Sequence, residues 1–526
     1  MSGMFDSKSD KAGRKLARTQ KEEKARRKSR ITIITVISVL LLVSAFAITI
    51  NSNFIRRTLP VVTIDGIGFS AAKFEFFVNS EYIDFVNMMS QFQGSDGLPQ
   101  RPLSGKVRYE NPETGEKETW AEFFIASALM RMTNFVSVYN AAKEAGFELS
   151  DEHYDQIEFE ITMAEMEAIM NQHPSLNSLL QLMYGHGMNE KLYREILEFT
   201  TLISAYSEFV RESFSFTADE KYEFYSEHRN DFDVFGFRIF YVNPEHIDPS
   251  EYESGEDYTD AREAAIEEAR ARAAKIVADG INSAEEFIAA AEEEYGHDAD
   301  WLGEVVYRSG ETLDEIYKDW LLSESRSYGD VTSFDTDSGA IVIYYASRDG
   351  NDYPTVGMRQ ILIKREPVNP EMFPEGENDP EYIAALELSD AEANERAEHV
   401  LSLFIAAGKT EEALIGLMEE YQQDGSIDGE YLNITKYTYQ SSHFRAMKVV
   451  PEIEEWLFDE SRTVGDSALI NSKDHGYHLV YFIGYGDLFF ELIAEDKLRT
   501  RDHSEWLESL PEGTPVKHAS FILVSV

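Results

Sequence analysis

An α+β multidomain fold carrying one amino-terminal transmembrane helix is what this 526-residue sequence predicts, and three observations predict it. A run with no charged residue, 31–50, follows a basic tail. A helix-patterned stretch fills residues 120–214. Beyond it, strand- and helix-patterned segments recur as a divergent repeat of about 120 to 140 residues. Roughly 100 to 200 residues per domain implies about three folded units.

The basic tail comes first. Residues 1–30 hold eleven Lys and Arg against four Asp and Glu, in a chain whose formal charge is −48. Twenty helical residues rise about 30 Å, the thickness of a hydrocarbon core, and satisfy their own backbone hydrogen bonds. Ile31–Ile50 is therefore read as a membrane span. The flank from Lys8 to Arg30 predicts a single-pass cell-membrane protein, amino terminus in the cytoplasm and bulk of the chain outside. A cleaved signal peptide is the alternative, since Ala45-Phe46-Ala47 fits a small-x-small cleavage site. The apolar run continues through Ile48, Thr49 and Ile50, beyond the usual signal core of about 7 to 15 residues, which favours the uncut anchor.

The chain contains no cysteine, so neither a disulfide nor a lipid-modified Cys anchor is available. Its negative charge repels phosphate and argues against a nucleic-acid partner. Solubility and steering of basic clients both account for that charge. With 43% hydrophobic and 12% aromatic residues, the acidity does not imply disorder.

After the span, Val61–Ile64 and Ile67–Phe69 flank Asp65-Gly66, a hairpin signal. Ser70 caps a helix on which Phe74, Phe77, Tyr82 and Phe85 recur at core spacing. Residues 94–119 read as loop. From Trp120 to Phe214 the pattern is helical. It is broken at Gly146, at Ser150-Asp151-Glu152, at Pro174 and at Tyr184-Gly185-His186-Gly187, so several helices of about ten to twenty residues are expected. This helix-rich domain is assigned to 55–230.

The repeat follows. Trp320-Leu321, Glu324-Ser325-Arg326 and Gly329-Asp330 match Trp456-Leu457, Glu460-Ser461-Arg462 and Gly465-Asp466 at one offset, 136. Glu285-Glu286 and Tyr295 match Glu411-Glu412 and Tyr421 at 126, and Arg238-Ile239 is set against Gln360-Ile361 at 122. Each copy reads as a strand, an Ala-rich helix ending at Gly280 or Gly408, two shorter helices and a closing strand. The copies are assigned to 232–350 and 351–486, with a helix-and-strand tail at 487–526 whose apolar end, His518–Val526, is expected to pair as a strand.

The strand, the helices, Tyr421-x-x-Asp424, the Gly465-Asp466 turn and Gly476-Tyr477-His478-Leu479-Val480 resemble the parvulin-type peptidyl-prolyl cis/trans isomerases, in particular secretion foldases of the PrsA/SurA type. Residues 60–230 are similar to their amino-terminal chaperone domain. The resemblance implies a SurA-N-like helical domain and two tandem parvulin-like, FKBP-like α+β modules. It also implies a membrane-anchored extracytoplasmic foldase that binds non-native exported polypeptides and isomerises X-Pro bonds.

Family members use a polar cluster. Carried over, it falls on Asp424 and His478, with Gln360 where the first-strand His stands and His475 at the Ser position. Met447, Ile453, Trp456 and Phe458 are the apolar substrate-binding candidates. In the first module Asp298 and Ser338 match, but Arg238 and Ile341 stand at the histidine positions, so that copy is degenerate. The ordinary roles of these residues are core packing and helix capping, and a non-catalytic scaffold binding protein or cell-envelope partners is the competing reading. No cofactor or metal is expected. The sequence has no phosphate loop, His-Glu-x-x-His, nucleophile elbow or calcium-loop spacing.

Overall fold

The computed structural model describes residues 24, 27–28, 30, 33–40, 53–93, 98–110, 117–252, 254–297, 305–423, 429–437 and 449–525. The membrane expectation is corrected first. Among the described residues no helix is long and apolar enough to cross a membrane. Of the span expected at 31–50, residues 33–40 are helical and the others lie outside the described residues. Eight residues rise about 12 Å, well under half a hydrocarbon core. The transmembrane helix, and the single-pass placement that rested on it, are withdrawn. The chain divides into two compact units, residues 1–214 with 501–526, and residues 215–500.

The first unit opens with helix α1 (Phe54–Thr58) and the hairpin β1 (Pro60–Ile64) and β2 (Ile67–Ser70). Asp65 and Gly66 both take positive φ, as a two-residue turn matched to strand twist requires. Helix α2 (Ala71–Gln93), the short strands β3 (Val107–Glu110) and β4 (Lys117–Thr119), and helices α3 (Trp120–Glu144), α4 (Asp151–Met170), α5 (Leu176–Tyr184) and α6 (Glu190–Ser213) follow. Thr119, Ser150 and Ser175 cap through reciprocal side-chain bonds. Phe74, Phe77, Phe124, Met132, Ile157, Ile161 and Leu180 join one core.

Two boundaries differ from expectation. The helical unit closes at Phe214, and residues 215–230 belong to the second unit. The tail strand is Pro515–Lys517, not His518–Val526; it pairs antiparallel with β1, and 519–523 form a 3₁₀ turn that sets Phe521 against Phe74.

Glu75 of α2 is wholly buried where this tail docks. Its Oε1 accepts from the Ser525 amide at 2.7 Å and from Arg56, while Oε2 has no hydrogen-bond partner among the described residues. Burial outweighs those bonds and raises the Glu75 carboxyl above its ordinary 4.5. A raised folded-state value means the native state holds the proton more tightly, so this group's contribution to stability is fully present below 4.5 and is lost as pH rises through the raised value. Relative to wild type, Glu75→Gln is therefore expected to gain stability as pH rises from 4 to 8. Urea midpoints of both proteins at the two pH values check this, and an advantage that shrinks with pH contradicts it.

The second unit begins with α7 (Ala218–Glu227) and α8 (Arg229–Phe232) and then carries two four-stranded antiparallel sheets. The first comprises β5 (Val234–Val242), β6 (Val306–Ser309), β7 (Val331–Thr336) and β8 (Gly339–Asp349), with α9 (Gly255–Asp279), α10 (Ala284–Tyr295) and α11 (Lys318–Leu322) in the connections. The second comprises β9 (Pro354–Lys364), β10 (Glu430–Ile434), β11 (Ser467–Ser472) and β12 (Gly476–Leu488), with α12 (Pro380–Ala406), α13 (Glu411–Tyr421) and α14 (Pro451–Leu457). The orders are β6-β5-β8-β7 and β10-β9-β12-β11, the same arrangement counted from each first strand. In each, the long helix lays alanines on the sheet, Ala269 and Ala273 in one and Ala393 and Ala397 in the other. Helix α15 (Phe489–Ser509) contributes Phe489, Ile493 and Ala494 to a cluster with Tyr225, Phe232 and Tyr353.

The identities at offset 136 form a brace. Arg326 lies over Trp320 and bridges Asp330 at 3.4 Å; Arg462 lies over Trp456 and bridges Asp466 at 3.5 Å. The Gly329 and Gly465 amides donate to Tyr345 and Phe482, and the Asp330 and Asp466 carbonyls accept from the same two residues. The repeated residues thus join a helix-turn to the start of the β7–β8 or β11–β12 ladder. The constraint they obey is structural.

A buried clasp sits where β5 leaves α8 and β9 follows β8. Asp233, with no exposed surface, accepts from the Tyr225 hydroxyl at 2.7 Å, Arg229 at 2.9 Å and Arg348 at 2.6 Å. The Asn351 amide donates to the Phe232 carbonyl at 2.9 Å and the Tyr225 oxygen at 3.1 Å. Burial first, and the Asp233 charge second, push the Tyr225 phenol up, so it stays a donor.

Candidate functional site

The central strands of the second sheet bring Gln360 and His478 together. Gln360 pairs with Val480 and His478 with Leu362, so the two side chains are diagonal neighbours on one face. The Gln360 Oε1 lies 2.9 Å from His478 Nδ1, and His478 Nε2 lies 2.9 Å from Ser472 Oγ. The three side chains are 7%, 3% and 1% exposed. The His478 Nδ1–H donates to Gln360, and the Ser472 hydroxyl, which faces Nε2, also lies 3.2 Å from the Gly476 carbonyl and accepts from the Gly476 amide at 3.3 Å. On the same face stand Val356, Met358, Val480 and Phe482, covered by Ile453 and Leu457 of α14. A polar trio therefore sits at the margin of an apolar bed.

Local sequence explains this placement. Gly476 has φ 135°, and a Cβ there would lie 2.3 Å from the Ile363 carbonyl; only glycine lets β12 start so close to β9. Gln422, just beyond α13, fixes β9 from its edge: its Nε2 donates to the Gln360 carbonyl at 2.8 Å and its Oε1 accepts from the Leu362 amide at 2.9 Å.

The expected site residues are distributed unevenly. Gln360 and His478 are together. His475 is in the turn before β12, exposed, and its carbonyl accepts from the Arg365 amide; Ser472, at the end of β11, supplies the hydroxyl instead. Ile453 is wholly buried in the bed, Trp456 belongs to the brace, and Phe458 packs edge-on against Tyr353 at 5.7 Å. Asp424 and Met447, and Asp298 of the first module, lie outside the described residues. Ser472 and Gln422 were not singled out by spacing. A signal for Ser472 existed, since a strand-ending Ser opposite Gly476 in a tight hairpin shares the face of His478.

Strand register corrects the match within the first module. Ile341 pairs with Tyr241 as His478 pairs with Leu362, and Ile239 pairs with Ile343 as Gln360 pairs with Val480. Ile239, not Arg238, is thus the counterpart of Gln360, and Thr336 that of Ser472. A one-residue slip moves a side chain to the opposite face. Arg238 accordingly lies on the helix-covered face near the Tyr344 ring, as the counterpart of Arg359, which bridges Glu411 and Glu430 at 2.7 Å each. Two isoleucines replace the Gln–His pair.

No protein-family model and no curated protein matches the chain. Solved structures similar to it include one described with the SurA-like chaperones PEB4 and Cj1289 of Campylobacter jejuni, at 13% identity and TM-score 0.16, covering 46% of this chain and 82% of that one. Another is PrsA from Bacillus subtilis, at 12% identity and TM-score 0.16, covering 60% and 93%. At such scores neither match bears on what the chain does.

Proposed function

We propose that residues 351–486 are a parvulin-type peptidyl-prolyl isomerase module, that 232–350 are its non-catalytic copy, and that the helical unit holds non-native polypeptide. The observation that carries this reading is the buried Ser472–His478–Gln360 chain beside an apolar bed, on a sheet whose duplicate has isoleucine at two of the three positions.

Rotation about X-Pro faces a barrier near ~20 kcal/mol set by amide resonance. No nucleophile is required. A site that grips the proline ring on apolar surface, keeps water from its carbonyl and favours the twisted amide accelerates exchange by differential binding. Here the trio holds the imidazole in one orientation at the edge of that surface. The parvulin resemblance assigns Asp424 and Met447 to the same site, as a polar and an apolar group.

A non-catalytic scaffold is the second reading, favoured by the burial of His478 and by the bonds that already occupy both of its nitrogens. NMR exchange of Xaa-Pro peptides with the full chain separates the two. Acceleration by wild type is expected, reduced at least about tenfold in Q360I/H478I, which copies the first module; tenfold is about 1.4 kcal/mol of barrier. No acceleration by wild type would leave only binding. Suppression of aggregation of an unfolded client tests the holding role.

A further inference from the structure

Helix α4 buries Ile157, Ile161 and Ala168 in the core of the first unit. Its opposite face is uncovered. Phe159, Met163, Met166 and Met170, at spacings of four, three and four, form one stripe and are 64%, 48%, 50% and 77% exposed. Four large apolar side chains in line on water-facing surface are an unpartnered contact surface, and methionine, unbranched and polarisable, adapts to differing partners. The helix holds seven carboxylates, Asp151, Glu152, Asp155, Glu158, Glu160, Glu165 and Glu167, and no Lys or Arg. Glu158 is taken by Arg194; Glu160, Glu165 and Glu167 make no ion pair among the described residues. At 100° per residue Glu160 and Glu167 border one side of the stripe.

We infer that this stripe is a docking site for a basic amphipathic segment of a partner polypeptide, about three helical turns long, with apolar residues at i, i+3, i+4 and i+7 and Lys or Arg beside them. The commitment follows from charge complementarity: cationic flanks meet the unpaired carboxylates while apolar residues cover the methionines. The same carboxylates repel an acidic segment or an anionic surface. The inference rests on the polypeptide-holding reading and names the client feature recognised.

The test is fluorescence anisotropy of the full chain with three labelled 14-residue peptides: a Leu/Lys amphipathic helix former, the same peptide with Lys replaced by Glu, and a reordered peptide that scatters the leucines. The first is expected to bind at least about tenfold more tightly than the others. The M163S/M166S variant should lose about tenfold of that affinity, and E160Q/E167Q should flatten its salt dependence. All four positions are exposed, so unchanged urea midpoints are expected. Equal binding by wild type and M163S/M166S, or equal binding of the Glu peptide, overturns the site. Aggregation suppression is measured in parallel. Suppression unaltered in a variant that still binds the Lys peptide fully overturns the site but not the holding role; absent suppression by a wild type that discriminates the peptides overturns the holding role and leaves the site standing.

Discussion

Gly476→Ala is expected to unfold the second module's sheet locally and abolish the proposed isomerase activity, whereas Gly339→Ala should do comparable damage to the first module and leave that proposed activity in place. Both glycines open the closing strand of their sheet with φ 135° and 141°, and a Cβ at either would lie 2.3 Å from a backbone carbonyl, of Ile363 or Val242. The left-handed conformation costs a non-glycine residue about 1–2 kcal/mol, and forcing an atom against packed backbone adds about 1–3 kcal/mol. A loss of about 3 kcal/mol or more is a large share of the usual 5 to 15 kcal/mol of a domain. Urea titrations beside the exchange assay check it. Activity surviving in Gly476→Ala with its module destabilised would separate the trio from catalysis.

Asp233→Ala is the second large effect. Three donors converge on this carboxylate, and its removal leaves Arg348, largely buried, and the Tyr225 hydroxyl without it. Breaking a buried pair costs about 3–5 kcal/mol, and the lower end applies because Arg229 reaches solvent. Thermal unfolding of the second unit should shift down by several degrees, with Asp233→Asn intermediate because its carbonyl oxygen still accepts from Tyr225. A change in midpoint no larger than that of an exposed Asp→Ala control, such as Asp335→Ala, would show that the clasp is not a stability centre.

Local chemistry was readable in the sequence. Asp65-Gly66 turns where two adjacent positive φ values are needed, and Ser150 caps where a helix begins. Gly280 and Gly408 lie just past the two long helices. The identities around Trp320 and Trp456 showed the duplication because one compact brace demands the same residues twice. What depends on pairing between distant strands was not readable. Arg238 and Ile239 differ by one position in a loop-shifted match, and only the ladder with β8 decides which faces the bed. Ser472 meets His478 across a hairpin whose turn is one residue longer than its counterpart, which displaced the expected hydroxyl position to His475. The apolar run at 31–50 was judged by composition, and the eight described residues that are helical there do not amount to a span.

The pairing of Pro515–Lys517 with β1 has a consequence for biosynthesis. A ribosome delivers residues 215–500 in full before the segment that finishes the first unit has been made, so the unit started first is completed last. Until then β1 presents a bare edge and Phe74 lacks the cover of Phe521. The nascent chain is itself, for that interval, a partly folded polypeptide with sticky surface, and completion of its first unit waits on translation of the segment that carries Pro515–Lys517 and Phe521.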